Sequence, residues 1–224
     1  MSYTRIVGDI HGAYEDYKDL VGSVSTSVQV GDFGVGFSEY KDGEMARWQH
    51  NNPGHKFIRG NHDSPDVCED MPGYLGDYKY DQDNDVLYIG GAWSVDYYHR
   101  TEGVNWWDNE ELSQNQFDQI SRLYLLHRPK VVISHDAPYQ VPIKMGLLNP
   151  AFGGPVMTRT GYRLQQMFIQ HQPKHWFFGH WHKDATLQIS GCEFTCLGCM
   201  SYVDFDFKTL QHTPTEQIRD FFYD

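Results

Sequence analysis

Asp9 and His11 stand two residues apart in GDIHG, and His180 and His182 stand two apart in GHWH. Three further polar clusters lie between them: GDFG with Asp32, GNHD with Asn61, and SHD with His135. Imidazole nitrogen combined with carboxylate or amide oxygen, without sulfur, suits catalytic Mn, Fe, Zn, Ni or Mg better than a closed structural zinc site. Seven such residues are too many for one tetrahedral ion. Alternate side chains on extended backbone share a side, so each i, i+2 pair is expected to grip one centre, with Ile10 and Trp181 turned into the protein. His50, His55, His99, His127, His171, His175 and His212 lack this setting and read as hydrogen-bonded core or surface residues.

The elements that must position these groups are short apolar runs. Residues 4–7, 27–30, 56–58, 131–133 and 175–178 have the length and the β-branched or aromatic content of buried strands, and each is followed at once by one of the five polar motifs. Helical patterns cover 14–20, 114–126 and 161–169. Strands alternating with helices predict an α/β layered fold whose strand ends gather along one edge, which is where open sheets bind ligands. Glycine beside four of the motifs allows close backbone approach to such a site.

At 224 residues with 40% hydrophobic content, the chain fills one substantial core, and a single domain over 1–224 is expected. The formal charge of -12 argues against a large basic face tracking nucleic acid, although a small basic groove or a bound metal still serves for phosphate. No basic start followed by an apolar stretch is present, nor a run approaching about 18 apolar residues, so a cytoplasmic protein with no membrane partner is expected. Cys192, Cys196 and Cys199 have a spacing that suits three ligands of an iron–sulfur cluster. They lie in 186–207, which reads as two or three closing strands, so they are expected to be small buried strand residues.

The set D-x-H, GD, GNHD, H and GHxH, spread over residues 9–182, resembles the motifs of the calcineurin-like metallophosphoesterases in their order. The resemblance implies two mixed β-sheets flanked by helices, a four-layer αββα sandwich. It implies two divalent metal ions, one on Asp9, His11 and His182, the other on Asn61, His135 and His180, with Asp32 bridging. Cations about 3.5–4 Å apart share a water, lower its pKa and clamp phosphate oxygens, so the bridging hydroxide is the expected nucleophile. His62 cannot easily join Asn61 on a metal, because neighbouring side chains diverge, and the resemblance makes it the general acid. For Asp63 a turn-capping role is favoured.

Many protein phosphatases of the superfamily continue the second motif as GDxVDRG; here the stretch is GDFGVGF, without that Asp and Arg, although FIRGNHD resembles that branch. Arg59 is expected to pair with an internal carboxylate. A replacement cation is available in the aromatic segment 90–110, where Arg100 is a candidate substrate contact, and the segment is either a substrate wall or a self-packed loop. Segment 138–160, with Arg159, is a second loop that suits substrate choice. The leading expectation is a phosphatase-like phosphoesterase acting on a phosphorylated substrate. A phosphodiesterase or nuclease, for which nucleic acid is a substrate only, is the alternative within the fold, and a non-catalytic metal-binding scaffold is the alternative outside enzymes.

Overall fold

The structure is a computed structural model that describes residues 3–148 and 157–217. Strand β1 (Thr4–Val7) pairs in parallel with β2 (Ser27–Gln29), which pairs in parallel with β3 (His55–Phe57). On the other side of β1 lies the antiparallel β10 (Ser201–Asp206), which also pairs with β11 (Gln211–His212) and β12 (Glu216–Gln217). The second sheet runs β4 (Tyr78–Asp81), β5 (Val86–Ile89), β6 (Val131–Ser134), β7 (His175–Phe178), β9 (Cys192–Cys196) and β8 (Ala185–Ile189). Both sheets are mixed, with parallel strands at their centres.

Side-chain alternation explains why two sheets stack. In β7, Phe177 faces a central core shared by both sheets, whereas Trp176 and Phe178 face an outer core. In β6, Val131 and Ile133 point to the centre and Val132 outward; in β1, Ile6 points to the centre and Val7 outward. Parallel strands buried on both faces therefore appear in the sequence as continuous apolar runs. The outer face of the first sheet is covered by α1 (Tyr14–Val21), through Tyr17 and Leu20, and by α2 (Glu39–Asn51), through Met45. The second is covered by α4 (Gln114–His127), through Phe117, Ile120 and Tyr124, and α6 (Arg159–Gln170), through Leu164, Met167 and Phe168. The result is helix, sheet, sheet, helix, the expected four-layer sandwich.

Helix starts follow from local capping. Ser113 and Gln116 form a reciprocal capping box at the head of α4. The Thr158 hydroxyl accepts the Gly161 N–H, which starts α6 at Arg159, two residues before the expected boundary. Short helices α3 (Pro65–Cys68) and α5 (Gln140–Lys144) sit in connections. Among the described residues no helix is long and apolar enough to cross a membrane.

Candidate metal centre

The loops following β1, β2, β3, β6 and β7 meet at one end of the sandwich and bring all seven expected residues together. Asp9 Oδ2 lies 3.2 Å from His182 Nε2, and His11 Nε2 lies 3.1 Å from the same nitrogen. His11 Nε2 is also 3.8 Å from Asp32 Oδ2. Across Asp32, its Oδ1 is 3.2 Å from His135 Nε2, which is 3.1 Å from Asn61 Oδ1. His180 joins Asp32 and His135, their rings 5.1 Å apart. Asp32 thus belongs to two donor groups, Asp9–His11–Asp32–His182 and Asp32–His135–His180, and turns one carboxylate oxygen to each. Ions with bonds of about 2.0–2.2 Å need donors about 3.0–3.4 Å apart, so these side chains fit divalent cations with small adjustments.

The pairs do not converge through extended backbone. His11, Asp32, His180 and His182 adopt φ of 44°, 56°, 68° and 52°, all left-handed. Each such non-glycine residue costs about 1–3 kcal/mol and persists only where its surroundings dictate it. Here the His180 N–H donates to both Asp9 oxygens, at 3.2 and 3.0 Å, and the His11 N–H donates to the Asp32 carbonyl at 2.8 Å. One consequence corrects the expectation of one centre per pair: His180 and His182 fall in different donor groups. The intervening residues behave as expected, Ile10 fully buried and Trp181 packed on the outer core. A side chain at Gly60 would run into the Asp32 carboxylate and the His135 ring.

Outer partners fix the donors. His135 Nδ1 donates to the Val30 carbonyl at 3.0 Å, which turns Nε2 to the cluster. Asn61 Nδ2 donates to Ser94 Oγ at 3.1 Å, leaving Oδ1 inward, and Ser94 in turn donates through N–H and hydroxyl to Glu110, at 2.7 and 2.5 Å. Asp63 caps the neighbouring turn, accepting N–H groups from Phe33, Gly34, Val35 and Gly60.

Two buried carboxylates in this cluster demand positive charge. Burial opposes protonation of His135, but the adjacent Asp32 charge and hydrogen bond outweigh it and raise its pKa to about 9. His182, hydrogen-bonded to Asp9 and Cys199, rises to about 10. Burial also opposes ionisation of Asp32, yet His135, His62 and His11 hold it well below the usual carboxylate range. Protons stand in for the cations such a cluster attracts, and metal binding would displace them.

Comparison with known proteins decides the family. The sequence model for the calcineurin-like phosphoesterases matches residues 4–184. The chain belongs to this family. No curated protein matches it in sequence. Among solved structures, protein TT1561 of Thermus thermophilus is similar at 12% identity with a TM-score of 0.60, over 97% of this chain and 99% of that one. A phosphopantetheinyl hydrolase from Mycobacterium tuberculosis shares 13% identity at a TM-score of 0.52, over 88% and 90% of the two chains. A dimetal phosphatase from Danio rerio shares 11% identity at a TM-score of 0.51, over 90% and 94%. At these identities the likeness is one of fold.

In this calcineurin-like phosphoesterase the cluster opens into a cavity of about 660 Å³, lined by His62, Arg100, Lys41, Phe37 and Val95. His62 touches the cluster through its backbone, whose N–H donates to Asp32 Oδ1 at 2.7 Å, so its ring is free of that task. Arg100 Nη2 lies 2.6 Å from His62 Nε2 and also donates to Asp96 at 2.9 Å, while Nη1 donates to the Asn105 carbonyl at 3.2 Å. Burial first, then the nearby His11 and Arg100, bring His62 down to about 4, against the opposing pull of Asp32. In the aromatic segment Tyr97 packs against Trp93 and Trp106, as expected of a self-packed loop, while Val95, Asp96 and Arg100 face the cavity.

Other residues fall elsewhere. Arg59 is buried against Asp77 at 2.5 Å and the Glu110 carbonyl at 2.8 Å, an internal pair. Arg159 donates to the Leu112 carbonyl at 3.3 Å in a separate cleft. Within segment 138–160, residues 149–156 lie outside the described residues. Cysteine behaviour divides. Cys192 and Cys196 are buried on β9, but Cys199 stands in the turn before β10, grouped with His11 and His182. The Met200 N–H bonded to the Asp9 carbonyl at 2.9 Å folds that turn over the end of β1, a long-range closure with no local sequence signal. The clusters of His, Asp and Cys residues suit one or two divalent metals.

Proposed function

We propose that the protein is a phosphatase-like phosphoesterase that works with two divalent cations. The observation carrying this reading is Asp32, buried and shared by two donor groups through its two oxygens. Asp9, His11 and His182 would hold one ion, Asn61, His135 and His180 the other, with Asp32 between them. When bound, such a pair supplies an activated water and neutralises phosphoryl charge.

The chain's own residues do the rest. Arg100, steered by Asp96 and Asn105, orients the phosphoryl group at the cavity wall and shares it with Lys41. Two cationic side chains there favour a monoester, the more highly charged substrate. Before substrate binds, burial and the nearby positive charges keep His62 neutral, with its pKa brought down to about 4. A phosphoryl anion bound beside His62 and drawing Arg100 onto itself removes the Arg100 contact with the ring and favours the imidazolium, so the acid acquires its proton with the substrate. From there His62 donates that proton to the departing alkoxide oxygen. Four free buried cysteines fit a reducing compartment, and we place the enzyme in the cytoplasm.

The test is hydrolysis of nitrophenyl monoesters and diesters and of alkyl phosphates, each with Mn, Fe, Zn, Ni and Mg. Metal-dependent turnover with monoesters ahead supports the proposal. Diesters ahead would reassign the substrate class, and inactivity with every metal despite stoichiometric loading would leave a binding scaffold.

A further inference from the structure

His175, Glu193 and His212 are isolated in sequence, and the two histidines read there as ordinary hydrogen-bonded residues. The fold gathers all three. His175 opens β7 and is in register with Glu193 on β9 of the same sheet, while His212 belongs to β11 of the other sheet. They meet at the start of β7, the end opposite His180, separated from the strand's exit by three steps, or about 10 Å of extended chain.

Glu193 Oε1 lies 2.7 Å from His212 Nε2 and 3.3 Å from His175 Nδ1, and one donor atom from each residue lies within 4.8 Å of the other two. Donors around a zinc-sized ion sit about 3.3 Å apart, so small side-chain rotations complete the set. Each donor is held from behind. His212 Nδ1 donates to the Thr213 carbonyl at 2.6 Å, which turns Nε2 to Glu193. Glu193 Oε2 accepts from Gln188 Nε2 at 3.0 Å, which leaves Oε1 facing the histidines. The backbone of Leu210 hydrogen-bonds the His175 ring. Histidine ligands whose other nitrogen is tied to a backbone carbonyl are the usual arrangement of protein metal sites.

His175 Nδ1 is a buried nitrogen without a well-formed hydrogen bond, aimed into this group. Phe177 and Phe205 wall the ring, at centroid distances of 5.9 and 5.2 Å. The three side chains remain 14%, 22% and 19% exposed, so an ion enters from solvent without opening the core. Two imidazoles and a carboxylate, with solvent completing the fourth position, suit Zn, Co or Ni.

We propose that His175, Glu193 and His212 form a divalent-metal site, separate from the Asp32 cluster, that ties the two sheets together at the distal end of the sandwich. The ion replaces the proton between His212 Nε2 and Glu193 Oε1, and that proton leaves to solvent. This site stands independently of the catalytic proposal.

The test compares purified full-length wild type with Glu193→Gln and His212→Gln by elemental analysis after dialysis against micromolar zinc. Wild type should retain one ion more than either variant, with phosphoester turnover of the loaded proteins unchanged. Zinc at about 100-fold over its Kd should raise the wild-type Tm by roughly 5–10 °C more than that of the variants. A zinc-edge anomalous peak between the three residues in wild-type crystals would support the site without any variant. Equal ion counts in all three proteins, no anomalous peak at the triad, or binding only at millimolar zinc would each overturn it.

Discussion

The two walls of the cavity are built by opposite means. On one side the five strand-end loops place donors within a few residues of rigid β-structure, in left-handed conformations latched by buried hydrogen bonds. On the other side the segment 90–110 has a 3-10 turn at Tyr97–His99 and an isolated bridge between Glu102 and Trp106, is held by ring contacts and local hydrogen bonds such as Arg100 to Asp96, and leaves Val95 and Tyr98 66% and 71% exposed. Strain at the first wall is tolerated because its neighbours enforce it; the second wall is held chiefly by bonds within its own segment. On the proposed reading the metal donors belong to the rigid frame, and the second wall is a surface segment of the kind that sets substrate preference. Ser94 and Glu110 are the exception, since they reach from the second wall to hold Asn61 of the first.

The largest expected effect separates His62 from the donors around it. His62→Asn should retain metal yet slow alkyl phosphates by about 100- to 10,000-fold, with nitrophenyl phosphate, whose leaving group needs no proton, affected least. A leaving-group series measures this, and equal slowing of all substrates would make His62 a positioning residue instead. Next, Arg100→Ala should weaken phosphoester binding about 10- to 100-fold, as loss of a charge-assisted hydrogen bond does, without changing metal content. Lost metal would show that the two walls are not separable at this point.

Ser94→Ala sharpens the exception. Freed from its partner, Asn61 should turn, and the affinity of one ion should fall by about 10-fold, towards the low end for outer partners of metal ligands. Calorimetry would read it, and an equal loss at both sites would contradict the division into two groups.

Much of the first wall was legible because parallel strands buried on both faces leave apolar runs, each ending in a polar motif. The second wall was legible only as composition. Helix α2 shows no apolar stripe in the sequence because its buried residues are Asp42, Met45 and Gln49, so neither it nor Lys41 at the cavity is legible there. Alternation on extended backbone places Asp9 and His11 correctly in one donor group but fails for His180 and His182, because it presumes strand geometry and the left-handed turns there divide that pair between the two groups. Cys199, His175 and His212 acquire their neighbours through pairing between distant strands, which no local pattern announces.

The smallest effect is one of pH. His135 and His182 have folded pKa values of about 9 and about 10, above the unfolded value of about 6.5. The stability they contribute to the metal-free protein is fully present below about pH 6.5 and is lost as pH rises through those folded values. The metal-free Tm should therefore fall by a few degrees between pH 6.5 and 10, and saturating metal, which needs unprotonated ligands, should remove the decline. Thermal scans across that range would show it, and a flat metal-free profile would contradict the charge balance described for the cluster.

Metal stoichiometry tests the central claim most directly. Counted by elemental analysis and calorimetry in a Glu193→Gln background, so that the distal triad does not contribute, the chain should bind two divalent ions. Adding Asp32→Asn should weaken both by more than about 100-fold, beyond what outer partners of metal ligands contribute, whereas His11→Ala should weaken one. A single bound ion whose affinity is indifferent to Asp32→Asn would contradict the account.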